Sequence, residues 1–333
     1  MLNLAANEAR IFYDASRKWF TIVSIFVCPV LLVINAPFGR FAPSGKGLFN
    51  VDGRISWIVM EIVSPIMFTL SFLSSPLSRA EPVAFGPSSA QHILAAAYLI
   101  HYANRAVISP LRTPSRSKSN IIVPLSGVAF NILNGSLMGT YLSSPAAFAY
   151  LCNPQPSFYL GLGLWVAGFV GNIIHDEILL NLRRKSNATG KISDNRKNDE
   201  RRNLTNEKTA TAKSISEHYA IPYGLLYKYV SYPNYLCEWA EWLGFALAAS
   251  PLPFATISHA GGAIGSLLSP SAISTVIRAP SSLFEPRLTP PWIFVLNEIV
   301  LMLPRAYRGH QWYKEKFGQS YPKERKAVVP FIL

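Results

Sequence analysis

Long apolar segments separated by shorter polar stretches dominate the hydrophobic pattern of this chain. A helix that crosses a bilayer needs about 20 mostly apolar residues. The pattern therefore predicts about seven transmembrane helices, at residues 19–35, 55–74, 90–109, 121–142, 157–180, 235–256 and 291–304. The last two are the weaker spans, because the sixth begins with Glu238 and Glu241 and the seventh is short and holds Glu298. The expected fold class is all-α, a multi-spanning membrane helix bundle that forms a single domain over residues 1–333.

Two segments interrupt this pattern. Residues 186–213 contain almost no large apolar side chains, so they cannot bury enough surface to order themselves, and we predict a disordered cytosolic insert. Residues 257–290 are rich in Ser, Pro and Gly, and we interpret them as a long loop insert. The first apolar segment is expected to remain as an anchor, because the residues before it lack the order of a cleaved signal peptide.

The composition supports a membrane protein. Charged residues make up 15% of the chain, against about 25% in soluble domains, yet the net charge is +13. A basic nucleic-acid-binding protein would carry its Lys and Arg on a water-soluble body, so we expect membrane lipids and no nucleic acid as partners. Of the Lys and Arg residues, 25 fall on one side of the seven predicted spans and 6 on the other. Because cytoplasmic loops collect basic residues, the C-terminus is expected in the cytosol and the N-terminus outside it.

Several common motifs are missing from the sequence. It has no GxGxxG after a strand, no P-loop, no HExxH and no GxSxG. The six histidines lack zinc-ligand spacing and the three cysteines lie far apart, so neither a metal site nor a disulfide framework is expected. A nucleotide site in this chain would not be built on a Rossmann fold.

Polar residues at membrane depth are costly and therefore indicate function. Glu61 has no basic residue three or four positions away in its own helix, so it is expected to be unpaired and protonated. A neutral acid can polarise a ketone whose oxygen gains negative charge during a reaction. Tyr102 and Arg105 follow at the cytosolic end of the third span. Helix pairing for Glu61 and interfacial anchoring for Tyr102 stay open as alternatives.

A second polar group enters the fifth and sixth spans from the basic face. Asn172 and Asp176 are four residues apart and share a helix face, as do Asn234 and Glu238 in the sixth span. Amides can bind a carboxamide, carboxylates can hold hydroxyls, and an arginine such as Arg183 can bind a phosphate with two hydrogen bonds. For Asn172 and Asp176, the pattern favours one wall of a cofactor site. For His175 and Glu177, a position at the membrane–water boundary is a sufficient explanation.

The C-terminal segment alternates aromatic with basic residues, namely Arg305, Tyr307, Arg308, His310, Trp312 and Tyr313. This pattern suits a juxtamembrane segment that binds anionic lipid. It equally suits residues that clamp a dinucleotide.

Six stretches resemble the steroid 5α-reductase (3-oxo-5α-steroid 4-dehydrogenase) family, in a plant- or fungal-like form. They are NAPFGRF, SWIVMEIVSP, HYANR, GNIIHDEILLNLRR, YAIPYGLLYKYVSYPNYLCEWAEWLGFALA and PRAYRGHQWYKEKFGQSYPKERKAVVPFIL. The resemblance runs from about residue 35 to the end, interrupted by residues 186–213 and part of 257–290.

The resemblance implies a monomeric seven-helix enzyme of the endoplasmic reticulum membrane, with NADPH entering from the cytosol and a hydrophobic steroid or sterol-like lipid from the bilayer. Hydride would reach the carbon β to the ketone of a 3-oxo-4-ene substrate. Glu61 and Tyr102 would bind the ketone and stabilise the enolate. Residues 157–333 would be the cofactor-binding half. The implied cofactor residues are Asn172, Asp176, Arg183, Tyr219, Asn234, Glu238, Arg305, His310 and Tyr313, with Arg116 at the 2′-phosphate of NADPH.

Four positions depart from the family pattern and leave the implied cofactor set nearly whole. Phe38, Met60, Ser126 and Gly309 stand where tyrosine, glutamine, arginine and histidine are usual. The identity of the substrate is therefore open. Polyprenols and enoyl-CoA thioesters, on which related reductases act, stay as alternative substrates. An isoprenylcysteine-type membrane methyltransferase and a lipid-binding protein without activity are the alternatives from other classes.

Overall fold

A computed structural model describes residues 5–41, 49–78, 89–113, 116–202, 220–254 and 269–333, apart from the side chains of residues 40, 186–202, 270 and 272. Its helices are α1 (Ala6–Val33), α2 (Gly53–Ser74), α3 (Ala90–Tyr102), α4 (Ser109–Arg112), α5 (Ile122–Leu142), α6 (Pro145–Leu151), α7 (Pro156–Arg202), α8 (Pro233–Ala249), α9 (Pro270–Arg278) and α10 (Pro290–Phe317). A π-helical stretch at Ala103–Ile108 joins α3 to α4. Two short strands, β1 (Asn50–Val51) and β2 (Ser119–Asn120), pair antiparallel.

The all-α prediction is confirmed, and each predicted span overlaps a helical stretch, although the first and sixth spans extend beyond the ends of α1 and α8. By length and apolar composition, four helical stretches within the described residues can cross a membrane: Ala6–Val33, Gly53–Ser78, Ile122–Leu142 and Pro156–Lys185. The number of seven spans therefore stays a prediction.

Buried cations explain why α1 starts well before its predicted span. Arg17 and Lys18 lie inside the helix and are almost fully buried. The Arg17 guanidinium donates hydrogen bonds to the carbonyls of Glu285 and Leu288, at 2.6 and 2.8 Å. The Lys18 ammonium donates to the carbonyls of residues 277 and 279, at 2.8 and 2.6 Å. Because these charges are paired, they do not end the helix.

Both predicted inserts contain helical backbone. The long loop insert expected at 257–290 includes α9, and its stretch from 277 to 288 is bound to α1. Residues 255–268 lie outside the described residues. Helix α7 continues to Arg202, through the first part of the insert expected to be disordered. Residues 186–202 contain no proline that would end it. Residues 203–213 lie outside the described part of the chain.

Helices α7 and α8 pack closely because glycines remove side chains from the interface. A Cβ added at Gly168 of α7 would lie 2.4 Å from the backbone nitrogen of Glu241, and one at Gly244 of α8 would lie 2.5 Å from that of Trp165. Small residues let membrane helices approach to this degree. The close approach brings the turn after Gly168, which holds Asn172 and Asp176, against the start of α8.

Candidate active site

A cavity of about 510 Å³ opens between α2, the π-helical stretch, α7, α8 and α10. Its volume lies in the range of small-molecule and cofactor sites. Within the described part of the chain, five arginines line it: Arg105, Arg116, Arg183, Arg305 and Arg308. The carboxylates of Asp176 and Glu238 line it as well. The cavity therefore combines a strongly cationic wall with two acids.

Amides and acids of α7 and α8 form one connected group. The side-chain amide of Asn172 donates to Glu238 Oε2 and to the carbonyl of Asn234, both at 3.2 Å. The amide of Asn234 donates to Asp176 Oδ1 at 3.0 Å. These four residues are the two pairs that helical spacing selected, and the close α7–α8 packing joins them. Asn172 is buried behind the cavity lining, where it holds Glu238.

Arg105 links this group to α2. Its Nη1 lies 2.8 Å from Glu238 Oε1, and its Nε lies 3.3 Å from Glu61 Oε1. The indole N–H of Trp57 donates to the Arg105 carbonyl at 3.3 Å, and the guanidinium lies 5.2 Å from the centre of the indole ring. The expectation that Glu61 is unpaired is therefore wrong, because its basic partner comes from another helix. One guanidinium serves two carboxyl groups.

Tyr102 belongs to a buried polar cluster between α2, α3 and α5. The amide of Asn134 donates to the hydroxyl oxygens of Tyr98 and Tyr102, both at 3.2 Å. The hydroxyl oxygens of Ser64 and Tyr98 lie 2.7 Å apart. Tyr102 is only 3% exposed. Like Glu61, it lies behind the cavity lining, on the side of α2.

Aromatic rings hold two of the cavity arginines in place. The guanidinium of Arg305 stacks 3.6 Å from the ring centre of Phe38, and that of Arg116 lies 4.3 Å from that of Trp57. Among the described residues, Arg305 Nη1 and Arg116 Nε have no hydrogen-bond partner. Burial, followed by the charge of Arg183, lowers the pKa of Arg116 to about 10, so this side chain is still cationic at neutral pH. Both guanidiniums can bind an anion.

His310 lies outside the cavity lining, in a second hydrogen-bonded group. Its Nδ1 lies 2.5 Å from the Ser231 hydroxyl oxygen, which lies 2.6 Å from that of Tyr321. Burial, followed by the charges of nearby lysines and arginines, lowers the pKa of His310 to about 4, which keeps the ring neutral. Tyr313 lines the cavity and stacks on Tyr321, with ring centres 5.5 Å apart.

Comparison with known proteins identifies a matching family and several similar proteins. The family model for 3-oxo-5-alpha-steroid 4-dehydrogenase matches residues 117–197, 202–259 and 284–333. Uncharacterized protein C9.08c of Schizosaccharomyces pombe is 35% identical, over 97% of this chain and 100% of its own. Steroid 5-alpha-reductase DET2 of Arabidopsis thaliana is 30% identical over 95% and 96%, and 3-oxo-5-alpha-steroid 4-dehydrogenase 1 of Bos taurus is 29% identical over 92% of each.

The chain belongs to the 3-oxo-5-alpha-steroid 4-dehydrogenase family. The resemblance read from the sequence is thereby confirmed. As a member of this family, the chain is an oxidoreductase that acts on CH–CH bonds.

The structure gathers most of the predicted site residues of this family member around one cavity. Seven line it: Arg116, Asp176, Arg183, Asn234, Glu238, Arg305 and Tyr313. Glu61, Tyr102, Asn172 and His310 are buried next to it, and Tyr219 lies outside the described residues. Sequence reasoning missed Arg105 as a site residue, although an arginine beside an apolar span is itself a signal.

Proposed function

We propose that this protein is an NADPH-dependent membrane reductase that saturates the double bond conjugated to the ketone of a 3-oxo-4-ene steroid or sterol-like lipid. The observation that carries the proposal is the connected polar group running from Glu61 through Arg105 and Glu238 to Asp176. It joins the predicted ketone side of the site to the predicted cofactor side. The relatives named as 3-oxo-5-alpha-steroid 4-dehydrogenase 1 and as steroid 5-alpha-reductase DET2 support the same reaction class.

The residues present fit a phosphorylated nicotinamide dinucleotide. Its phosphates need cationic donors, and Arg305 Nη1 and Arg116 Nε are buried without partners among the described residues. Its carboxamide needs both donors and acceptors, and Asn234 Oδ1 is also without a partner there. When bound, the cofactor supplies the hydride that reaches the β carbon of the enone.

On the cofactor side, residues of the chain would bind and orient the NADPH. Arg183, Arg305 and Arg308 would neutralise the phosphates, and Arg116 would bind the 2′-phosphate that distinguishes NADPH from NADH. Asp176 would accept hydrogen bonds from ribose hydroxyls. Asn234 would hold the carboxamide, because its own amide is already fixed by Asp176.

On the substrate side, the chain would hold a proton at the ketone oxygen. Glu61 and Glu238 share the single guanidinium of Arg105, so two carboxyl groups lie against one cation. A protonated Glu61 can donate to the ketone oxygen. Tyr102 can donate as well, since Asn134 already supplies a hydrogen bond to its oxygen. Both donors would stabilise the enolate that forms as the hydride arrives, and a proton taken up from water at the α carbon would complete the saturated ketone.

The cellular setting follows from the same proposal. The apolar helices would lie in the endoplasmic reticulum membrane with the C-terminus in the cytosol. The hydrophobic substrate would enter from the bilayer, and NADPH would enter from the side that carries the excess of Lys and Arg.

The proposal is tested with protein purified in detergent, NADPH and a 3-oxo-4-ene steroid. We expect loss of NADPH absorbance, together with a product that has gained two hydrogens by mass spectrometry. Glu61→Gln should abolish turnover while NADPH binding is kept. Glu315→Gln is the matched control, because Glu315 is exposed on α10.

Two results would contradict the proposal. Full turnover in Glu61→Gln would remove Glu61 from the reaction. Absence of NADPH binding by the wild-type protein would exclude the reductase as a whole.

A further inference from the structure

Gly309 lies on the row of α10 that faces the cavity, yet it brings no side chain to that row. Residues four apart in a helix share a face. Arg305 and Tyr313, four residues before and after Gly309, both line the cavity. A Cβ added at Gly309 would lie 1.7 Å from the hydroxyl oxygen of Tyr232 and 2.6 Å from its Cζ. Tyr232 therefore occupies the place of the missing side chain.

The backbone holds Tyr232 in this place from two sides. Its N–H donates to the carbonyl of Ala327 at 3.0 Å. Its own carbonyl accepts hydrogen bonds from the N–H groups of Tyr235 and Leu236 in the first turn of α8, at 3.2 and 3.3 Å. Any side chain at position 309 would have to push against a residue fixed by the C-terminal segment and by α8 together.

The surrounding residues of α10 are suited to receive this ring. Ala306, one turn before Gly309, is fully buried and packs in the same cluster as Tyr232. Glycine weakens the interior of a helix, so its presence on a well-formed one needs a reason. The approach of Tyr232 supplies that reason, and it leaves the phenol at the cavity wall between two residues of the arginine-bearing row.

We infer that Tyr232 is a cofactor-binding residue: its hydroxyl replaces the side chain missing at position 309 and donates a hydrogen bond to an oxygen of the phosphate-bearing half of the dinucleotide. The inference rests on the proposed function, since it assumes that the cavity binds NADPH. The resemblance read from the sequence implies a histidine at position 309, and a phenol and an imidazole can both place a donor there. The departure at Gly309 is thus compensated from a different helix.

Tyr232→Phe tests the hydroxyl alone, because the ring stays over Gly309. NADPH binding to the full-length protein in detergent is titrated by tryptophan fluorescence, with thermal unfolding measured in parallel without cofactor. We expect the Kd for NADPH to rise about tenfold, which corresponds to the loss of one hydrogen bond to a charged group. Thermal unfolding reports separately any effect of the hydroxyl on the cofactor-free fold. Tyr159→Phe removes a hydroxyl from a side chain that is 65% exposed and outside the cavity lining, and should leave Kd unchanged.

A second pair of variants tests the replacement itself. Tyr232→Ala should weaken NADPH binding and vacate the room beside Gly309. Adding Gly309→His to Tyr232→Ala should recover at least part of the affinity, because the imidazole can then enter the vacated space. Gly309→His alone should bind worse than wild type, because the space is filled.

The outcomes separate this inference from the proposed function. Wild-type affinity in Tyr232→Phe, with NADPH still bound by the wild-type protein, overturns only the role of Tyr232. A double variant that binds no better than Tyr232→Ala also counts against it. Failure of the wild-type protein to bind NADPH overturns the proposed function and this inference together.

Discussion

Arg105 is the residue whose replacement should disturb the site most directly. Its guanidinium lies within 3.3 Å of one carboxylate on α2 and within 2.8 Å of another on α8. Arg105→Gln removes this cation and leaves Glu61 and Glu238, which are 5% and 2% exposed, facing each other. Breaking a buried ion pair by removing one partner costs about 3–5 kcal/mol. Because the Arg105 side chain is 28% exposed, we expect the lower end, about 3 kcal/mol.

The assay is unfolding of the detergent-solubilised protein by titration with SDS, followed by circular dichroism. A triple variant, Glu61→Gln, Arg105→Gln and Glu238→Gln, is the matched comparison. It removes the carboxylates together with the cation, and loss of both partners is far less costly than loss of one. The triple variant should therefore recover about half or more of the stability lost in Arg105→Gln. Turnover should be absent from both, since the triple variant also lacks the carboxyl of Glu61.

Two results would refute this reasoning. Unfolding of Arg105→Gln at the wild-type SDS concentration would mean that the guanidinium does not offset the two carboxylates. A triple variant no more stable than Arg105→Gln would mean that the loss comes from packing, for example against Trp57, and not from charge.

Three further predictions concern other parts of the chain. Gly168→Ala should cost about 1–3 kcal/mol in SDS titration, because its methyl would lie 2.4 Å from a backbone nitrogen of α8; Gly163→Ala, with no atom within 4 Å, should be neutral or slightly stabilising. Arg116→Gln should raise the KM for NADPH at least tenfold and that for NADH much less, measured by steady-state kinetics. The free energy of unfolding should fall by up to about 3 kcal/mol as pH drops from 6.5 towards 4, because His310 in the unfolded chain binds a proton that the buried ring does not. His310→Gln should flatten this dependence, measured by thermal unfolding at a series of pH values.

Each of these has a contrary result. Equal losses in the two glycine variants would show that the α7–α8 interface tolerates a methyl group. A parallel rise in KM for both cofactors would place Arg116 at a part that NADPH and NADH share. An unchanged pH dependence in His310→Gln would assign the acid sensitivity to other groups.

The helices could be predicted because apolar runs of sufficient length report membrane helices directly. Helical spacing also selected Asn172 with Asp176 and Asn234 with Glu238, since residues four apart share a face whatever the tertiary structure. The structure shows that the two pairs meet. Their binding role is still a prediction, which the proposed kinetics address.

Contacts between helices could not be read in this way. Glu61 has no basic neighbour in its own helix, and nothing in its spacing indicates that Arg105, 44 positions later in the sequence, lies beside it. Tyr232 and Gly309 are similarly distant in sequence. The extension of α1 before residue 19 could not be predicted for the same reason, because the carbonyls that pair Arg17 and Lys18 come from residues 277–288, far along the chain.

The π-helical stretch makes the site sensitive to the length of the chain. The N–H of Ser109 donates to the carbonyl of Asn104, five residues back, so this turn holds one residue more than an α-helical turn. Deletion of Ala106 would let the turn close as regular α-helix while α3 and α4 keep their present faces, so Tyr102 would stay against Asn134. Arg105 lies inside the bulge, and closing the turn would shift its guanidinium away from Glu61 and Glu238. A single codon loss, with no change in polarity or charge, should therefore separate the two halves of the site.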